Sequence, residues 1–288
     1  MKQRLIRAIT GLCLTASLTW LDGGFLVSTE RGLAFHPSMV AHASAEAVIR
    51  AELSRLLRDP EFQTRAIRQM EVPPGQEAVY LEHMEKAWGN DAVMSVFLDD
   101  LLQLIEVMQL DDREARRNLT RNFASAWFQE KSFNGVRRLK SEEQREFFRF
   151  ALLLTKVVST EHCAAIAREE LSAPELARVE IQGFSVLPTA TLRAYLGILR
   201  KALIAEVTEH PPVPTLGPSE RMVVEETIGA QLFAALGNHP NGERLALGLD
   251  NQAYLSDAEL CELNTMILDL AVEERGQIGE WVIRYMLL

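Results

Sequence analysis

The chain has 288 residues, 48% of them apolar and 24% charged, with 16 Gly and 11 Pro. That composition excludes a disordered, a collagen-like and a small disulfide-scaffold protein, and no apolar run reaches the 18 residues of a polytopic membrane protein. Its 30 Lys and Arg against 40 Asp and Glu give a net charge of -10, which repels a phosphate backbone and argues against nucleic acid as a partner.

The N-terminus has the pattern of a secretory signal. Lys2, Arg4 and Arg7 form a basic start, Ala8 to Leu21 an apolar stretch, and Asp22-Gly23-Gly24 a break. Ala41-His42-Ala43 and Ala43-Ser44-Ala45 are the small-x-small triplets at which processing is expected, so residues 1–45 are read as a targeting segment. Cys13 follows Leu12 rather than a small residue, which disfavours a lipoprotein. Other readings of the segment are an uncleaved anchor, an organelle transit peptide and an ordinary N-terminus. Cutting after Ala45 would remove four basic and two acidic residues and leave a net charge of -12.

From Ser44 onward the periodicity is helical. Val48, Ile49, Leu53, Leu56 and Leu57 form a stripe at helix spacing. Asp59-Pro60 restarts the chain as N-cap and first helical residue, and Pro73-Pro74-Gly75 ends that helix. A third helix is predicted from Gln76 to Trp88. Asp91 to Leu110 is the most apolar segment, with a polar strip of only Asp99, Gln103 and Glu106, and is predicted to be central in the core.

Four capping boxes mark later helix starts: Asp111 with Glu114, Ser141 with Gln144, Ser172 with Glu175 and Ser256 with Glu259. A long helix is predicted from Thr189 to Glu209. His210 to Pro218 then holds four prolines in nine residues and reads as an extended connection. Further helices are expected at Ser219–Leu236, Ser256–Glu273 and Gly276–Leu288. No segment alternates like a strand. The expected fold is all-α, a multi-helix bundle or orthogonal domain of about ten or more helices without significant β-sheet. Its parts are a main helical domain over 46–210, the Pro-rich connection 211–218, and C-terminal helices over 219–288 packed on the main domain.

Little in the sequence carries chemistry. No nucleophile elbow, phosphate loop, dinucleotide fingerprint, zincin helix or paired-Cys metal motif is present, so no catalytic residue, metal ligand or cofactor is assigned. The Glu82-His83, Glu161-His162 and Glu209-His210 dipeptides do not chelate, because helix neighbours point about 100° apart. Sequence adjacency does not make His162 and Cys163 a base and nucleophile. The carboxylate pairs Asp99-Asp100 and Asp111-Asp112 stand in no context that demands acid–base work.

Cys163 and Cys261 are the even pair left after the leader. In an oxidising compartment they invite a disulfide, and two buried thiols are the equal alternative. Both follow a Glu by two residues early in a helix, a match short enough for chance. Arg113, Arg116, Arg117 and Arg121 fall on one side of a predicted helix, with Arg137, Arg138 and Lys140 after it. They read as an anion- or partner-binding face or, more simply, as a solvated face balanced by nearby acids. Trp127, Phe128 and Phe133 are candidate partner-contact aromatics beside those cations, and adjacent Phe147 and Phe148 suggest that some aromatics face outward.

The function expected is that of an exported, periplasmic-type protein that binds another protein, such as an adaptor, a chaperone or a toxin-neutralising (immunity) protein. Membrane contact would come only through an uncleaved N-terminus or the Arg face. The alternatives are an envelope hydrolase, a carrier of apolar ligands and a cytosolic helical scaffold.

Overall fold

A computed structural model describes the backbone of residues 39–108 and 113–288, and the side chains within them apart from 39–45, 106–122 and 125. The leader reading therefore falls almost entirely outside the described residues, as does the Asp111–Glu114 box. Thirteen α-helices and two 3-10 turns make up the described chain, with no strand among them. The all-α expectation holds.

The helices are α1 Met39–Arg58, α2 Pro60–Gln69, α3 Glu77–Trp88, α4 Asp91–Met108, α5 Arg113–Val136, α6 Ser141–Val157 and α7 Thr160–Ala167. They continue as α8 Ala173–Gly183, α9 Thr189–Val207, α10 Pro218–Gly237, α11 Gly242–Asp250, α12 Asp257–Glu273 and α13 Gly276–Met286. Phe184–Val186 and Gln252–Tyr254 are the 3-10 turns. Two starts differ from the sequence reading: α1 begins before Ser44, and α11 had no forecast.

Local chemistry explains most helix starts. Asp59 accepts the Phe62 N–H at 2.9 Å with Pro60 next to it. Ser172–Glu175 and Ser256–Glu259 form the expected boxes, with the Ser N–H groups donating to the Glu carboxylates at 2.9 Å and 2.8 Å. The Ser141–Gln144 box does not form. The N-cap is Lys140, whose N–H reaches Glu143, and the Gln144 amide instead donates to the Val136 and Arg137 carbonyls at 3.0 Å and 3.1 Å.

Helix ends leave carbonyls without intrahelical partners, and buried long side chains supply them. Besides Gln144, Gln63 donates to Leu57 O at 2.8 Å. Gln76 donates to the carbonyls of Phe184, Ser185 and Leu187. Arg145 donates to the carbonyls of Val272 and Glu274, closing the end of α12. Losing such a donor strands a buried carbonyl, at a cost of about 1–3 kcal/mol each.

The central helix is α9, not α4. Leu192, Tyr195, Leu196, Ala202 and Leu203 are all buried, and α9 touches α3, α4, α5 and α6. By contrast, among its described side chains α4 buries the side of Val93, Met94, Phe97, Leu98 and Leu101, and Ile105 is exposed, which corrects the expectation for the Asp91–Leu110 segment. Total hydrophobicity does not say which helix has neighbours all round.

One continuous hydrophobic core runs from Leu53 to Leu287. The helices after the prolines join it through α12 on α6 and α7, and through α13 on α6. The Pro-rich stretch is held at both ends: Arg138 donates to Pro211 O at 3.1 Å, and Leu216 is buried.

The α5–α9 crossing is so close that a Cβ on Gly135 would lie 1.8 Å from the Ala202 carbonyl oxygen. A Cβ on Gly197, also in α9, would meet nothing within 4 Å. Gly135→Ala should therefore cost about 3 kcal/mol or more, because the helices must part. Gly197→Ala should stabilise by about 0.5–1 kcal/mol through helix propensity. Urea unfolding of the two variants beside the parent checks the opposite signs.

Candidate functional site

The proposed aromatic contacts are core. Trp127 and Phe128 are 3% and 2% exposed. With Trp88 and Phe97 they form an edge-on cluster whose neighbouring rings are 4.9–5.2 Å apart. The Trp127 Nε1–H donates to Asp100 at 2.8 Å, and Phe133 is partly buried against the same core. Phe147 and Phe148 are both buried as well, because α6 packs against α8 and α9 as well as α12 and α13. The outward-facing aromatics expected beside the cations are not found among these residues.

The side chains of Arg113, Arg116, Arg117 and Arg121 lie outside the described residues. Of the cations that follow, Arg138 has a structural role: its guanidinium meets Glu206 at 2.7 Å, with the two side chains only 15% and 16% exposed. Arg137 turns back to the carbonyl and side chain of Asn134. An anion-binding face thus loses Arg137 and Arg138 to contacts within the fold.

The two cysteines are bridged, with Cα atoms 5.4 Å apart across a sequence separation of 98. The bond joins the first turns of α7 and α12, and the Glu-x-Cys match marks its two ends. His162 beside it bonds the Ser159 hydroxyl through Nδ1 at 3.1 Å, so no thiol–imidazole pair forms.

Next to the bridge is a groove of about 450 Å³, lined by α12 residues Ala258, Cys261, Glu262, Thr265, Met266 and Asp269. Lys156, Thr160 and His239 complete its wall. Sequence reasoning missed it because its wall comes from three separated segments. Its polar groups are engaged with each other: Lys156 lies 4.0 Å from Asp269, and His239 Nε2 lies 3.0 Å from Glu262. Since His239 Nδ1 accepts the Asn241 N–H at 3.2 Å, the ring proton sits on Nε2 and points at the carboxylate. Both ring nitrogens are occupied, so His239 fastens a turn to α12 and offers no base to the groove.

Elsewhere, titratable groups serve the fold. Glu82 is held near 2 by hydrogen bonds from Lys86 and Arg193. Burial raises the Tyr80 phenol, with Glu180 adding to the effect. Burial also takes His83 down to about 4, with Arg200 acting the same way and the Leu196 carbonyl opposing. Among the described residues no group of three or more His, Cys, Asp and Glu converges on a metal position, and no helix is long and apolar enough to cross a membrane.

The surface carries a more telling feature. Met222 and Phe233 of α10 are 56% and 60% exposed. They stand eleven residues, three turns, apart on one face, with exposed Glu226 and Ala230 between them. Leu247 and Tyr254 on the following elements are exposed too. The helical spacing of Met222 and Phe233 was the signal available in the sequence. Comparison with known protein families, with curated proteins and with solved structures finds no match to this chain.

His83 gives a pH test. Its folded value lies below its ordinary 6.5, so the unfolded chain takes up the proton first. Stability should be whole above pH 6.5 and fall by about 3 kcal/mol as pH drops toward 4. Carboxylates such as Glu82, depressed from 4.5, lose their contribution from about pH 4.5 downward and so overlap only the acid end of that window. Urea midpoints at pH 7 and 5 should differ in the parent and converge in His83→Gln. An equal difference in both proteins would remove His83 as the cause.

Proposed function

We propose that this is an exported, periplasmic-type helical protein that acts by binding another protein, in the manner of an adaptor, a chaperone or a toxin-neutralising (immunity) protein. The observation that carries the reading is the pair of large apolar side chains, Met222 and Phe233, left exposed on one side of α10. Large apolar side chains left in water at Met222 and Phe233 lower solubility and contribute nothing to the core, whereas a partner would bury them. The Cys163–Cys261 bridge supports export, since such bonds persist in oxidising compartments. His239 is held between Glu262 and the Asn241 N–H, which gives that histidine a structural role at the groove. The acidic balance of the chain favours a partner of opposite charge.

A photo-crosslinking residue placed at Met222 or Phe233 in the native cell should give one discrete protein adduct. The same residue at Arg55, 72% exposed on the far N-terminal helix, should give none. Phe233→Glu should abolish the adduct formed from position 222 while leaving the urea midpoint within about 0.5 kcal/mol of the parent, as surface changes do. No adduct at either α10 position, or equal labelling from position 55, would refute the assignment.

A further inference from the structure

The two sulfurs of the bridge do not share an environment. Cys163 is wholly buried, while Cys261 is partly exposed and lines the groove beside Thr265 and Met266. A nucleophile entering the groove reaches the Cys261 side of the bond and is kept from the Cys163 side. Thiol–disulfide exchange depends on which sulfur can be approached while the other departs.

We propose that the groove is a thiol-exchange site in which Cys261 is the attacked sulfur and Cys163 the leaving sulfur. A thiolate forms a bond to Cys261 Sγ, and the Cys261–Cys163 bond breaks. Its electron pair stays on Cys163, which takes up the proton that the attacking thiol gave up on becoming a thiolate. The attacking thiol is oxidised to a mixed disulfide, and Cys163 is reduced to the thiol. The co-reactant is a thiol, carried by a small molecule or by a dithiol protein. The inference goes beyond the binding role and does not depend on the partner's identity.

Contacts besides the bridge hold α12 in place. Thr265 donates to Thr155 at 3.0 Å, and Arg145 holds the carbonyls of Val272 and Glu274. These contacts fasten α12 to α6 without the bridge. Resealing therefore returns Cys163 to a sulfur that has stayed nearby.

The test uses the full oxidised chain in native buffer, with reduced glutathione in one arm and a small Cys-x-x-Cys dithiol protein in the other. After an acid quench, free thiols are alkylated and the peptides mapped, Cys13 being resolved separately. The expected product carries the added thiol on Cys261 and the alkyl group on Cys163, in about tenfold excess over the reverse. Formation with either thiol supports the proposal and identifies the source. A predominant Cys163 adduct, an even split, or no adduct without denaturant overturns it.

Two variants guard the interpretation. Ala258→Trp, on an exposed position one turn before Cys261, should slow exchange about tenfold without changing the circular dichroism. An unchanged rate would contradict entry through the groove. Native alkylation should be about tenfold faster for the Cys261 thiol of Cys163→Ser than for the Cys163 thiol of Cys261→Ser, following exposure. Equal rates would remove the asymmetry on which the proposal stands.

Discussion

The close crossing of α5 over α9 is the constraint from which the rest of the arrangement follows. Gly135 lets the two backbones meet at Ala202, a distance that any side chain would forbid. With α5 at that separation, Trp127 and Phe128 reach into the core toward Trp88 and Phe97. The ends of α5 and α9 come close enough for Arg138 to meet Glu206 and to catch the chain at Pro211 as it leaves α9. One glycine thus governs the aromatic cluster, the fate of Arg138 in a candidate binding face, and the path of the proline-rich connection.

The second half of the molecule is attached through α6. Neighbouring residues on that helix close the ends of two different helices: Gln144 serves α5, and Arg145 serves α12. Phe147 and Phe148 follow one turn later and are both buried. The disulfide adds a covalent tie at the far side of α12, worth about 4–5 kcal/mol in the chain-entropy picture for a loop of this length. Exposed on the C-terminal helices are Met222 and Phe233 of α10 and the groove along α12.

Features governed by near neighbours in the chain were legible before the structure. The Asp59, Ser172 and Ser256 caps, the ends of most helices and the break at His210–Pro218 all depend on residues within four positions. Features governed by distant partners were not. Gln144 resembles a box residue until the orphan carbonyls at the end of α5 claim its amide, and Phe147 beside Phe148 resembles a half-exposed pair until the helices packed on α6 are in place. The apolar richness of Asp91–Leu110 said nothing about which helix would be surrounded. The paired Glu-x-Cys segments did mark two positions that meet. The groove was invisible because Lys156, His239 and the α12 residues are brought together only by the fold.

The account rests on the chain being processed and oxidised outside the cytosol. The most direct measurement is the intact mass of the protein purified after expression with its own N-terminus, with and without reduction before alkylation. The account predicts a mature start near Ser44 or Glu46 and two alkyl groups gained only after reduction. A full-length mass with three thiols freely alkylated would contradict it and return the protein to the cytosol.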